Sequence, residues 1–180
     1  KVNACSGENF TLNLTGNSSG SGQTYQWQQS TTGSAPWTNV GSANNSPSFS
    51  TTQTSSYYYR CEVTCTNSGL TSYSSSVQVT TPALVSGTFT IDKNGGGNFT
   101  SFADAINYIK CGINGAVTFN VTPGSGPYNE QIIVSEVYGA SASNTITFNG
   151  NGETLTFSGG TVTNPNTLSL DGADYFVFNH

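Results

Sequence analysis

Up to about residue 82, apolar and polar positions alternate in short runs separated by polar turns. Residues 10–14 (Phe-Thr-Leu-Asn-Leu) alternate with period two, as do 25–27, 57–63 and 76–80, the signature of strands with one buried face. Turn-rich stretches at 16–22 and 42–47 divide them. Strands at this spacing, with no helix-period segment between them, predict an antiparallel β-sandwich. A short linker, 81–87, opens with Pro82 and ends at Gly87, residues that stop one strand and precede the next.

Beyond the linker the pattern changes. Residues 88–91 read as a strand and 92–98 as a glycine-rich turn. Ser101 then caps a helix predicted over 102–110, with Phe102, Ala105, Ile106 and Ile109 on one stripe and Gly112 just past its end. Short apolar strands follow at 117–121, 131–134, 145–148, 154–157, 168–170 and 175–178. Two-residue hairpin signals are mostly lacking between them, 149–152 being the exception. Short inward-facing strands joined by Asn- and Gly-rich turns predict a parallel β-helix, with a second sandwich as the competing arrangement. The expected organisation is two β domains, 1–82 and 83–180, with one capping α-helix.

Composition narrows the function classes. Charged residues are 7% of the 180, with 4 Lys+Arg against 9 Asp+Glu and a net charge of −5, where an ordinary domain carries about 25% charged residues. No basic patch is available to hold a phosphate backbone, which argues against nucleic-acid binding. The longest uninterrupted apolar run spans 175–178, far short of the ~20 residues of a membrane helix. Aromatic residues make up 12%, enough with the β-branched runs to bury a core rather than stay disordered. Four cysteines, Cys5, Cys61, Cys65 and Cys111, in a weakly charged β chain suggest an oxidising, extracellular setting. They allow three full pairings and show no zinc spacing. The chain opens without an apolar leader-like segment, which leads us to expect a processed chain or an internal piece of a longer one.

Two family resemblances add to this. Trp27 in Tyr-Gln-Trp-Gln, followed by Tyr59-Arg-Cys61, resembles the central Trp and Tyr-x-Cys corner of immunoglobulin-like domains. The segment from Cys5 to Leu70 is similar to bacterial Ig-like domains of large Bacteroidetes surface proteins. It departs from the antibody pattern because the strand around Leu12 and Leu14 has no cysteine. The resemblance implies a Cys5–Cys65 disulfide, preferred over Cys5–Cys61, with Cys61 and Cys111 as buried thiols. From about Ser86 onward the order of elements resembles the entry to right-handed β-helices of the pectin lyase-like class. It has a strand, an aromatic-bearing glycine turn (92–102), an amphipathic helix, Gly126-Pro-Tyr-Asn-Glu130, and a Thr-Ile-Thr-Phe-Asn-Gly-Asn-Gly rung (145–152). Pectin methylesterases begin in this way, as do many non-enzymatic adhesins. The catalytic residues of those enzymes lie on rungs beyond this sequence, so none is carried over. An uncovered last rung at 178–180 gives the chain a truncated look, or one in which a further copy stacks on that end.

Candidate chemistry within the chain is sparse. Asp171 and Asp174 stand three apart, as a carboxylate pair or, in the plainer reading, a hydrogen-bonded turn. Glu130, beside Tyr128, is a candidate for a cation or sugar and otherwise a turn residue. Asp92, Asn94 and Asn98 offer oxygens for Ca²⁺ without EF-hand spacing. His180, the single imidazole, has no nucleophile at diagnostic spacing. Trp37, Tyr58 and Tyr73 are the candidates for an exposed, sugar-stacking surface, while Trp27, Tyr59, Phe119, Phe148 and Phe157 fall in core phase. Asn-x-Ser/Thr occurs at Asn9, Asn13, Asn17, Asn44, Asn98 and Asn120, glycan acceptors in a eukaryotic secreted chain and plain polar residues in a bacterial one. Together these lead us to expect a non-catalytic structural or adhesive segment of a secreted cell-surface protein. It needs no cofactor or metal, and its partners would be surface carbohydrate, another protein or further copies. The competing expectation is the front of a carbohydrate esterase or lyase whose active rungs lie past residue 180.

Overall fold

A computed structural model describes residues 3–17, 22–161 and 165–180. Residues 18–21 of the turn expected over 16–22 lie outside it, as does part of the Asn17 sequon. The chain divides into two compact units, Lys1–Pro82 and Ala83–His180. It is nearly all β, with one short helix.

In the first unit, β1 (Phe10–Asn13) pairs antiparallel with β4 (Ser48–Thr51). A five-stranded antiparallel sheet joins β3 (Thr38–Asn44), β2 (Gln23–Ser30), β5 (Tyr57–Cys65) and β6 (Thr71–Tyr73) in that order, with β7 (Val77–Val79) also on β5. Alternate positions turn inward. Phe10 and Leu12 from the small sheet join Tyr25, Trp27, Tyr59, Cys61 and Val79 from the large one in a single apolar core. The other phase of the large sheet carries Gln28, Arg60, Glu62 and Tyr73. β3 runs through part of the stretch read as a turn at 42–47. That strand is exposed along nearly its whole length, so it has no apolar alternation to reveal it, and only its ladder to β2 makes it a strand. A bulge between Tyr25 and Trp27 interrupts that ladder. The Gln26 amide fills the gap, donating to the Trp27 and Val40 carbonyls at 2.9 and 3.2 Å. Gly41 is required just there: its φ is +63, and a Cβ would sit 2.6 Å from the Phe49 ring.

The cysteines differ from the expected pairing. Cys5 and Cys111 are disulfide-bonded, whereas Cys61 and Cys65 carry free thiols. The Cys5–Cys65 bridge is therefore not made, and Cys111 is not a thiol. Cys65 ends β5, and hydrogen bonds from the Ser68 hydroxyl and from the backbone of Ser68 and Asn67 in the following turn lower its ionisation.

The second unit is a parallel β-solenoid of about three turns. β8 (Val85–Ile91), β9 (Ile113–Val121), β12 (Ile146–Asn149) and β15 (Phe176–Asn179) form one parallel sheet. β10 (Tyr128–Asn129) pairs with β13 (Leu155–Thr156), and β11 (Ile132–Ser135) with β14 (Leu168–Asp171), again in parallel. The parallel ladders exclude the second-sandwich arrangement. Equivalent residues stack from coil to coil. Phe89, Phe119, Phe148 and Phe178 share one register column, with successive ring centroids 5.7, 4.8 and 5.7 Å apart. The next column outward is an asparagine ladder. Asn149 Nδ2 donates to Asn120 Oδ1 at 2.7 Å, and Asn179 Nδ2 to Asn149 Oδ1 at 2.9 Å, across separations of 29 and 30 residues. Inside lie Ile91, Val117, Phe119, Val121, Tyr128 and Ile146, each out of water and together the main source of this unit's stability. Helix α1 (Phe102–Ile109) buries Ala105 and Ile109 against that core, with Phe102 and Ile106 partly buried beside them.

Candidate functional site

The sheet register decides which polar side chains meet. Gln28 on β2 stands opposite Arg60 on β5 and Asn39 on β3, and Tyr73 on β6 stands opposite Glu62. Strand pleating turns these residues to the face away from Trp27, Tyr59 and Cys61. Gln28 is 8% exposed and bonded on every side. Its Nε2 donates to Asn39 Oδ1 and to Glu62 Oε2, both at 2.9 Å, and its Oε1 accepts from Arg60 Nε at 2.9 Å.

Arg60 is further held by two rings. Its guanidinium carbon lies 4.3 Å from the Trp37 ring centroid and 4.1 Å from that of Tyr73, well within cation–π range. Trp37 leads into β3 and Tyr73 belongs to β6, which flank the β2–β5 pair on opposite sides. The rings therefore reach the guanidinium from both directions. Two of the three residues singled out for sugar stacking thus meet, joined by an arginine that residue pattern alone did not mark. Tyr58 does not join them: its ring packs on the turn at Gly33, where a Cβ would lie 3.0 Å away. Among the described residues Arg60 has no ion pair, and its one hydrogen bond is through Nε. On the Trp27 side of the sheet a cleft of about 760 Å³ opens between Leu12, Trp27, Val63, Ser72 and Tyr73. The Trp27 indole N–H is buried there without a hydrogen-bond partner.

The other candidates are engaged in holding backbone. Glu130 accepts from the amides of Phe102 and Ala103 at 3.1 and 2.9 Å, so it caps α1 alongside Ser101, which accepts from Asp104 N. A carboxylate at that end also meets the positive pole of the helix. Asp92 Oδ1 accepts from Asn94 N at 2.8 Å, and Asn98 Oδ1 accepts from the amide and hydroxyl of Thr90. These oxygens close the glycine turn, and among the described residues no group of three His, Cys, Asp or Glu side chains is placed to hold a metal. Glu153, unremarked in the sequence, takes the amides of Gly124 and Gly126 and so ties the segment after β12 to the turn after β9. Tyr128 sits in the core and its hydroxyl meets Ser125 Oγ at 2.7 Å. Asp171 and Asp174 are both exposed, the former in register with Ser135, and His180 is exposed as well.

Three side chains in the first unit have ionisation shifted by their surroundings. Burial, reinforced by the charge of Glu62, pushes the Cys61 thiol up to about 11. Burial, reinforced by Tyr57, pushes the Tyr59 hydroxyl up to about 12. The Tyr59 hydroxyl donates to Gln53 Oε1 at 3.0 Å, and Gln53 Nε2 donates on to the Val79 carbonyl. Cys65 moves the other way, lowered by the Ser68 and Asn67 hydrogen bonds.

A family model described as a domain of unknown function (DUF8696) matches residues 1–83. No curated protein matches the chain, and no solved structure does. No helix among the described residues is long and apolar enough to cross a membrane.

Proposed function

We propose that the chain is a non-catalytic structural and adhesive segment of a large secreted, cell-surface protein of the bacterial, Bacteroidetes type. In this reading the first unit is an Ig-like sandwich and the second begins a right-handed, pectin lyase-like β-helix. The outer face of the large sheet contacts carbohydrate through Trp37 and Tyr73. The observation that carries the proposal is the set of side chains on that face: two aromatic rings held around one guanidinium and backed by a fixed amide. Aromatic planes beside planar hydrogen-bonding groups suit the apolar face and hydroxyl rim of a pyranose.

The fate of six of the nine carboxylates supports the non-catalytic part. Glu8, Asp92, Glu130 and Glu153 accept backbone amides, while Asp104 and Glu62 accept from Ser101 and Gln28. General acid–base work needs a carboxyl free to reach a substrate proton, with its pKa tuned toward the working pH. A side chain that closes a turn or caps a helix is committed elsewhere. Affinity electrophoresis of the full chain through gels containing soluble polysaccharides tests the reading. The wild type is expected to be retarded and Trp37→Ala and Tyr73→Ala to run freely. Equal mobility of all three in every gel would contradict it.

A further inference from the structure

Arg60 is one of only 4 Lys+Arg in the chain, and it is fixed on a sheet face without a counter-ion among the described residues. Its Nε donates to Gln28 Oε1, and its central carbon lies 4.3 and 4.1 Å from the Trp37 and Tyr73 ring centroids. The two Nη groups make no hydrogen bond among the described residues, and they are a pair of donors that matches the two oxygens of a carboxylate. Glu62, the nearest acidic residue in sequence, is instead bonded to the Gln28 amide at 2.9 Å. Gln28 thus both orients the guanidinium and holds the neighbouring carboxylate.

We propose that this face selects carboxylate-bearing sugars, with the Arg60 Nη edge taking the carboxylate and Trp37 and Tyr73 flanking the ring. The proposal rests on the sugar-contact reading above and adds the class of sugar. The attraction is local: the chain as a whole carries a net charge of −5, and the site sets one guanidinium, fixed by Gln28, against it. One carboxylate answers one guanidinium, so recognition of an isolated acidic residue is expected rather than attraction to a dense polyanion.

The test is calorimetric titration of the full chain with a hyaluronan oligosaccharide and with the same oligosaccharide after chemical reduction of its carboxyls. The acidic form is expected to bind about tenfold or more tightly than the reduced one, the usual scale for losing a charge-assisted bidentate contact. Arg60→Lys retains the charge but not the fork, and is expected to remove most of that preference. Its thermal unfolding midpoint and near-UV circular dichroism report whether the fold is intact. Trp37→Phe, a milder change, should weaken both ligands and keep the preference. Equal binding of the two forms overturns this inference and leaves the sugar-contact reading standing. Binding of neither form, or of an acidic peptide alone, overturns this inference, and the affinity gels decide the sugar-contact reading.

Discussion

Gln28 is the side chain through which most of the polar face is connected. Its one amide satisfies Arg60, Glu62 and Asn39 at once, and at 8% exposure water replaces little of what it provides. Gln28→Ala is expected to cost on the order of 1–3 kcal/mol, because it leaves several partners unmatched. Thermal unfolding would show a fall of several degrees, and an unchanged midpoint would remove Gln28 from this role. The two thiols behave differently for the same local reasons. Iodoacetamide at neutral pH is expected to label Cys65 and spare Cys61, since the thiolate is the reactive form and Cys61 is buried with its ionisation raised. Comparable labelling of both in the folded chain would contradict this. Raised ionisation also sets the sign of a pH effect. Cys61 and Tyr59 hold their protons more tightly folded than unfolded, so the stability they contribute is present below about pH 9. It is lost as pH rises through about 11 for the thiol and about 12 for the phenol. The denaturation midpoint of the first unit is therefore expected to fall on the alkaline side, and a flat profile from pH 8 to 11 would count against the assignment.

At the scale of elements, helix α1 is held by groups near and far in sequence. Ser101 was legible as its N-cap because the hydroxyl lies beside the helix in sequence and the apolar stripe follows at helical spacing. Glu130 was not, since it arrives from 28 residues away and nothing local marks it as a cap. Ser101→Ala is expected to cost about 1 kcal/mol, with Glu130→Gln costing a comparable amount by weakening the bonds to two helix amides. Hydrogen exchange at Phe102 and Ala103 should quicken in the latter variant. The solenoid strands were readable from their apolar runs. The Phe-Asn column was present in the sequence as a repeat, Phe119-Asn120, Phe148-Asn149 and Phe178-Asn179, at a spacing that only the coil-to-coil register explains. Asn149 bonds in both directions, so Asn149→Ala should lower stability more than Asn120→Ala. β3 shows the converse. An exposed strand without apolar alternation leaves no periodic trace, and it is recognised only through its partner.

For the whole molecule, the shortage of charge first served to argue against partners, and it now says how the fold is held. Among the described residues, backbone turns and helix ends are closed by Ser, Thr, Asn and a few carboxylates rather than by ion pairs. The parallel solenoid was legible because its residue pattern survives in each coil separately. The cysteine connectivity was not, because bridging depends on which positions approach in three dimensions, and Cys65 is a free thiol. The proposed binding face lay between these cases. Trp37 and Tyr73 stood out as aromatics off the core phase, but the arginine that joins them depends on a cross-sheet register that one strand's sequence does not contain. The measurement that bears most directly on the central claim is binding and turnover followed together. The full chain is incubated with a polysaccharide that retards it in affinity gels, and the polymer's length and ester content are followed over days. Retention of the protein with the polymer unchanged is the predicted result; shortened chains or released alcohol, abolished by heating the protein, would contradict it.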